Sequence, residues 1–251
     1  MKHLFRYSFV LIVSISFFSC KKDNYSAPGT FLTGALLYNT DSIYLERNQV
    51  TYQIYQYGFG KVGQIGSNSS DGRLNTLTTF AQDGTYSQVL YDGDYKLIIP
   101  TGQGPFLWKQ TSSGGPDSLA ISLKGNQNVD LQVTPYYMPR NAQYSYSGSD
   151  TSITATFKAD KIITDPAMAK DIERVSLYVN KTQFVSGGDN IALNNMSGGA
   201  ITNPNSITLK ANMGNAVRNF VPAQNYVFVR VGIKIVGVED MIFSPLQIVS
   251  F

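Results

Sequence analysis

Few residues in this 251-residue chain have side chains suited to covalent or acid–base chemistry. The only imidazole is His3 and the only thiol is Cys20. Serine–histidine and cysteine–histidine nucleophiles need such a group beside a partner, as do histidine zinc sites. From residue 21 onward the chain has neither. Two carboxylates can run glycoside hydrolysis without histidine, and Asp92 with Asp94 or Glu239 with Asp240 are the nearest pairs. Acids set in turns such as Asp92-Gly93 read first as turn formers, because the carboxylate caps its own backbone. The same residues lack the spaced oxygen ligands of a calcium loop, so no metal or other cofactor is expected. Gly58-Phe59-Gly60-Lys61-Val62-Gly63 matches G-x-G-x-x-G, with Asp83 twenty residues on from Gly63. That fingerprint works only where a helix opens onto a pyrophosphate, and Gln64 to Ser69 reads as a loop. Aromatic side chains remain. Trp108, Tyr55, Tyr57 and Phe59 offer flat faces that stack on sugar rings, with Gln, Asn and Asp nearby for directional hydrogen bonds. The alternative for Trp108 is a lid folded over the sandwich end, and for the tyrosines simple packing.

The elements that would position these residues begin after a leader. Lys2, His3 and Arg6 make a positive head, and Tyr7 to Phe18 is an apolar run of twelve residues. A spanning helix needs about 20. Positive head, short apolar run and small Ser19 before Cys20 are the marks of a secretory signal. The Ser19-Cys20 junction resembles the lipobox of bacterial lipoproteins, in which the cysteine is acylated and becomes the new N-terminus. The other reading is an ordinary N-terminal membrane anchor with a buried cysteine. Two or three acyl chains hold a protein stably to a bilayer where one is marginal. The expected organisation is a signal peptide over 1–19, a lipidated tether over 20–28, and two domains over 29–135 and 136–251.

Loss of the leader removes Lys2 and Arg6 from 20 basic residues and none of 17 acidic ones, leaving 18 against 17. A near-neutral chain lacks the basic stripe that displaces counterions from phosphates, so nucleic acid is not an expected partner. Sixteen tyrosines, 22 glycines and only three glutamates (Glu46, Glu173, Glu239) favour strands over helices. Val50, Tyr52 and Ile54 alternate with polar neighbours, as do Val175, Leu177 and Val179, and then Val227, Val229, Val231, Ile233 and Ile235. Each set marks a core face. Phe31 to Tyr38 reads as the first strand with a bulge at Gly34, and Asp83-Gly84 as a hairpin turn. Gly58–Asn75, Thr101–Asp117 and Ser186–Asn205 read as long loops. Thr134 to Pro139 reads as a stiff two-proline boundary, and Asp165-Pro166 as the cap and first residue of a helical turn. The fold class is all-β, with two β-sandwich domains.

With these stretches in view the chain resembles the two-domain lipoproteins of unknown function encoded beside SusC/SusD-type glycan importers in Bacteroidota. The resemblance rests on the lipobox with Asp23-Asn24-Tyr25 and Ala27-Pro28, on Tyr52 to Gly60, and on Asp83-Gly84-Thr85-Tyr86. It rests also on Asp92-Gly93-Asp94-Tyr95, Gly104-Pro105-Phe106, Val175 to Val185 and Val227 to Gly232. It implies a transthyretin-like, carboxypeptidase-regulatory-like sandwich followed by an immunoglobulin-like one, and supplies no catalytic residue. The expectation is a non-catalytic lipoprotein of the outer membrane, at the cell surface or on the periplasmic face. It would bind oligosaccharide beside a SusC/SusD-type importer, with Trp108, Tyr55, Tyr57 and Phe59 as the contact surface. A structural or fimbria-like adhesin subunit without a sugar site is the alternative. Asp41-Ser42-Ile43 and Asp117-Ser118-Leu119 resemble the O-glycosylation triplets of this phylum.

Overall fold

A computed structural model describes residues 26–56, 60–62 and 78–251. Cys20, Tyr57 and Phe59, with the leader and most of the 58–75 loop, lie outside them. The chain is all-β, and the helical segments among the described residues are 3₁₀ turns at Gly198–Ala200 and Ala216–Asn219. Among the described residues no helix is long and apolar enough to cross a membrane.

The first unit is built from β1 (Thr30–Tyr38), β2 (Asp41–Ser42), β3 (Gln53–Gln56), β4 (Gly60–Val62), β5 (Thr85–Leu90) and β6 (Gly93–Ile98). It continues with β7 (Phe106–Leu107), β8 (Leu119–Leu123), β9 (Gln127–Asn128), β10 (Leu131–Gln132) and β11 (Thr134–Pro135). One sheet centres on β1, which pairs antiparallel with β2 and β5 and parallel with β9 and β10. The other runs β4-β3-β6-β8. The alternation read from sequence carries the core between them: Val50, Tyr52 and Ile54 are buried, with Leu32, Leu36, Leu97 and Phe80. Tyr52, Phe80 and Tyr86 meet edge-on or tilted, with centroids 4.7–5.9 Å apart.

The second unit comprises β12 (Tyr137–Ser147), β13 (Ser152–Lys161), β14 (Ile172–Asn180), β15 (Ala192–Ser197), β16 (Ile207–Asn212), β17 (Tyr226–Ile235), β18 (Met241–Phe243) and β19 (Gln247–Ser250). Its sheets are β12-β13-β16 and β15-β14-β17, with both β18 and β19 on the far side of β17. Val175, Leu177, Val179 and the five apolar residues of β17 predicted to point inward are all fully buried.

Several local expectations change. Gly34 is no bulge: β1 and β5 stay in register through the Gly34–Tyr86 pair. Glycine is required because a Cβ there would lie 2.0 Å from the Val129 carbonyl oxygen and 2.7 Å from the Tyr86 ring. The 58–75 stretch contains β4, and the 101–117 loop contains β7. The polar 186–205 stretch contains β15, an edge strand whose exposed alternate positions hide its periodicity. Asp83-Gly84 makes a tight turn in which the Asp83 carboxylate accepts from the Thr85 amide and hydroxyl, at 3.1 and 2.7 Å. Asp165 does cap a turn, its carboxylate accepting from the Ala167 amide at 3.0 Å. The two-proline stretch falls where the two units meet, as paired strand rather than open chain: Pro135 lies in β11, paired with β7, and Pro139 lies within β12.

Candidate functional site

The described residues of the aromatic set do not converge in one cavity. Tyr55 is half-buried on β3, between Lys61 of β4 and Lys96 of β6, and its hydroxyl donates to the Gln53 side chain at 2.7 Å. Trp108 follows β7, and its indole N–H donates to the Asp117 carbonyl at 3.2 Å. That bond folds the half-buried indole against its own hairpin, which is closed by the Gln110–Pro116 bridge. Trp108 lines a cavity of about 240 Å³ with Gln103, Lys109, Tyr136 and Lys170, and Tyr55 is not part of it.

One carboxylate of each pair has a structural duty. Asp92 accepts from the Thr30 hydroxyl at 2.6 Å and the Gly125 amide at 3.1 Å, and these bonds hold its carboxyl below the usual range. Asp240 is buried and accepts from the Gly104 amide of the first unit at 2.8 Å; burial pushes its carboxyl up. Among the described residues, no group of three or more His, Cys, Asp or Glu could hold a metal ion.

A larger cleft, of about 640 Å³, opens where the two units meet. Its first-unit wall is the segment after β2, with Tyr44, Arg47 and Asn48, together with Thr79, Gln82 and Asp83. Asn48 takes a left-handed backbone (φ 62°), which asparagine tolerates. The second-unit wall is Gln183, Phe184, Arg230 and Leu246. The Arg47 guanidinium lies 4.3 Å from the centre of the Phe184 ring, a cation–π contact across the junction. Gln82 fastens the walls together, its amide donating to the Gln183 carbonyl at 3.0 Å and accepting from the Val185 amide at 3.4 Å. Tyr44 and Phe243 join as an isolated antiparallel bridge, with the Phe243 amide donating to the Tyr44 carbonyl at 3.0 Å.

Arg230 is the least expected residue of the cleft. It sits on the face of β17 opposite the sandwich core, yet only 1% of its surface is exposed. The strand beside it is interrupted. Gly232 pairs with Phe243 and Val229 with Gln247, so Arg230 and Val231 face three residues, Ser244, Pro245 and Leu246. A one-residue bulge of this kind re-aims side chains next to functional sites. The Val231 amide is recovered by the Tyr144 hydroxyl at 3.0 Å and the Ser244 hydroxyl at 3.2 Å. Arg230 donates through Nε to the Val185 carbonyl and through Nη1 to the Leu45 carbonyl of the first unit, the latter at 2.8 Å. Its guanidinium stacks 3.7 Å from the Phe243 ring centre. Room for that ring comes from Gly232, where a Cβ would approach Phe243 and Met241 to 2.9 Å. Nη2 is buried and has no hydrogen-bond partner, and among the described residues no carboxylate pairs with the guanidinium. Burial lowers its pKa from the ordinary arginine range to about 9, partly offset by the charge of Glu46. Sequence reading passed over this arginine because the strand was judged by its inward set; the signal was a lone Arg among the outward residues Phe228, Gly232 and Lys234.

The comparisons with known proteins follow this two-unit architecture. A family model described as the DUF3823 N-terminal domain, of a protein of unknown function, matches residues 30–134, and a second, the DUF3823 C-terminal domain of unknown function, matches 137–248. A solved DUF3823 family protein from Parabacteroides merdae is 27% identical, with a TM-score of 0.68 over 90% of this chain and 100% of its own. Another, from Bacteroides ovatus, is 24% identical, with a TM-score of 0.69 over 89% and 99%. A Bacteroides uniformis protein described as a candidate carbohydrate binder is 15% identical, with a TM-score of 0.66 over 90% and 100%. No curated protein matches the chain.

Proposed function

The chain belongs to the two-domain DUF3823 family, and from that premise we propose that it is a non-catalytic, glycan-binding lipoprotein. In this reading Cys20 anchors it in the outer membrane, at the cell surface, and it serves as an accessory to a SusC/SusD-type polysaccharide importer. The observation that carries the reading is the cleft between the units. It combines an aromatic face, Phe184, with the hydroxyl and amide side chains of Tyr44, Asn48, Thr79, Gln82 and Gln183. Sugars are bound by that mixture of ring stacking and directional hydrogen bonds. No imidazole or thiol lies in the cleft, and Asp83, its one carboxylate, is committed to Thr85. The fold shared with the Bacteroides uniformis protein is consistent with the same ligand class. We favour this cleft over the Trp108, Tyr55, Tyr57 and Phe59 surface, since Trp108 is bonded into its own hairpin.

Calorimetry of the lipoprotein in detergent against a panel of polysaccharides tests the reading, alone and with the importer pair. Binding that is lost on Phe184→Ala supports it, and no binding to any glycan in either setting removes it. Palmitate labelling of the wild type and Cys20→Ser tests the anchor; equal labelling of both rejects it. One feature favours the spacer alternative: the junction is fastened by Gln82, Arg230 and the Gly104–Asp240 bond, as a rigid rod would need. A spacer predicts no sugar affinity and full function in Phe184→Ala.

A further inference from the structure

We propose that the cleft between the units is selective for acidic sugars, with the guanidinium of Arg230 receiving the carboxylate of a uronate. The inference deepens the glycan-binding reading and rests on it.

Two cations line this cleft and neither has a carboxylate partner among the described residues. Arg230 is buried on the floor with Nη2 unsatisfied. Arg47 is exposed on the facing wall and stacked on Phe184. A buried cation is ordinarily matched by an anion or fully hydrogen-bonded, because an unpaired one loses its hydration without recompense. Arg230 has two backbone carbonyls and a ring face, and lacks the third element. A carboxylate fits what is missing, since guanidinium and carboxylate match in charge and planar geometry. The acids nearby make no ion pair with it. Asp83 is held by the Thr85 amide and hydroxyl, and Glu46 acts on Arg230 only through its charge, without a hydrogen bond.

The remainder of the cleft suits the rest of a sugar. Phe184 offers a ring face, Tyr44 and Thr79 offer hydroxyls, and the volume of about 640 Å³ lies within the ~300–1,000 Å³ of small-ligand clefts. Nη2 lies beneath the surface, so entry of the carboxylate requires a side chain to turn aside. Leu246, half-buried, lines the cleft together with Arg230 and is a candidate for that movement.

The test is calorimetry of the full lipoprotein in detergent with trimers of galacturonate, glucuronate and mannuronate, their methyl esters, and neutral trimers of the parent sugars. Esterification removes the charge and keeps the ring. At least one acid should bind tenfold or more tighter than its ester, and Arg47→Gln should weaken the acid more than the ester. Arg230→Met should erase the preference. If that variant does not fold, the ¹⁵N-detected Nε–H signal of Arg230 in the wild type, which should shift with the acid and not with the ester, decides the matter. Free galacturonate binding as tightly as the trimer would support the carboxylate site and assign it to a monomeric sugar acid. Equal binding of acid and ester, or an acid preference that survives both variants, overturns the inference and leaves glycan binding standing. No binding by any sugar overturns both.

Discussion

Replacing Arg230 by methionine asks whether this arginine is kept for the fold or for a ligand. The drop in its pKa from the ordinary arginine range to about 9, at about 1.36 kcal/mol per pH unit, corresponds to roughly 5 kcal/mol of hostility toward the charge. Methionine would relieve that. It would also leave the Val185 and Leu45 carbonyls without their donor, at about 1–3 kcal/mol each. The contact with Phe243 would be lost as well, worth up to about 2 kcal/mol when desolvated. Loss and relief nearly cancel, so Arg230→Met should stay within about 3 kcal/mol of the wild type. Arg230→Ala removes the buried stem too and leaves space, adding about 2–4 kcal/mol of destabilisation. Urea unfolding followed by circular dichroism measures both, with an unchanged denaturant slope confirming the same exposed surface. If Arg230→Met loses more than about 5 kcal/mol, the arginine is a keystone of the junction. Its unsatisfied Nη2 would then say nothing about a ligand.

Gly34→Ala forces a methyl group against the Val129 carbonyl and the Tyr86 ring. It should cost at least about 3 kcal/mol, or about 6–12 °C in melting temperature by scanning calorimetry; a fall below 2 °C would mean β1 can shift freely. Asp240 has its pKa raised by burial, so across the window from the ordinary aspartate range up to its folded value the native state holds more protons than the unfolded chain. Its contribution to stability therefore falls as pH rises through that window. Asp240→Asn keeps an acceptor for the Gly104 amide, and melting curves at successive pH values should show that contribution abolished. Trp108 is the only tryptophan and does not line the larger cleft. Its emission should stay put when sugar binds there, and a ligand-induced shift would return the contact surface to Trp108.

The architecture was legible wherever one face of a strand is buried and the other wet. Val50, Tyr52 and Ile54 announce themselves because the alternating Thr51, Gln53 and Tyr55 are more exposed. β15 stayed hidden because Asn194, Asn195 and Ser197 form a polar edge, held by backbone pairing with β14 rather than by apolar burial. The prolines marked the division between the units but not its form, since Pro139 is ladder-paired in β12 just before the register shift between Arg140 and Gln143. The cleft could not be read at all, since its walls come from residues 44–48, 79–87, 183–184, 230 and 246. No local pattern links positions so far apart, whereas Trp108 and Tyr55 drew attention through side-chain type alone.

The parallel pairing of β1 with β9 and β10 bears on the order in which the chain acquires structure. Leu32 meets Gln127 and Leu36 meets Leu131, each partner about a hundred residues downstream. The first sheet therefore stays unfinished until nearly the whole first unit has been made, and such long-range closures are intrinsically slow. Arg230 reaches back further still, to Leu45. A chain emerging N-terminus first from the ribosome would thus settle only when its last strands arrive.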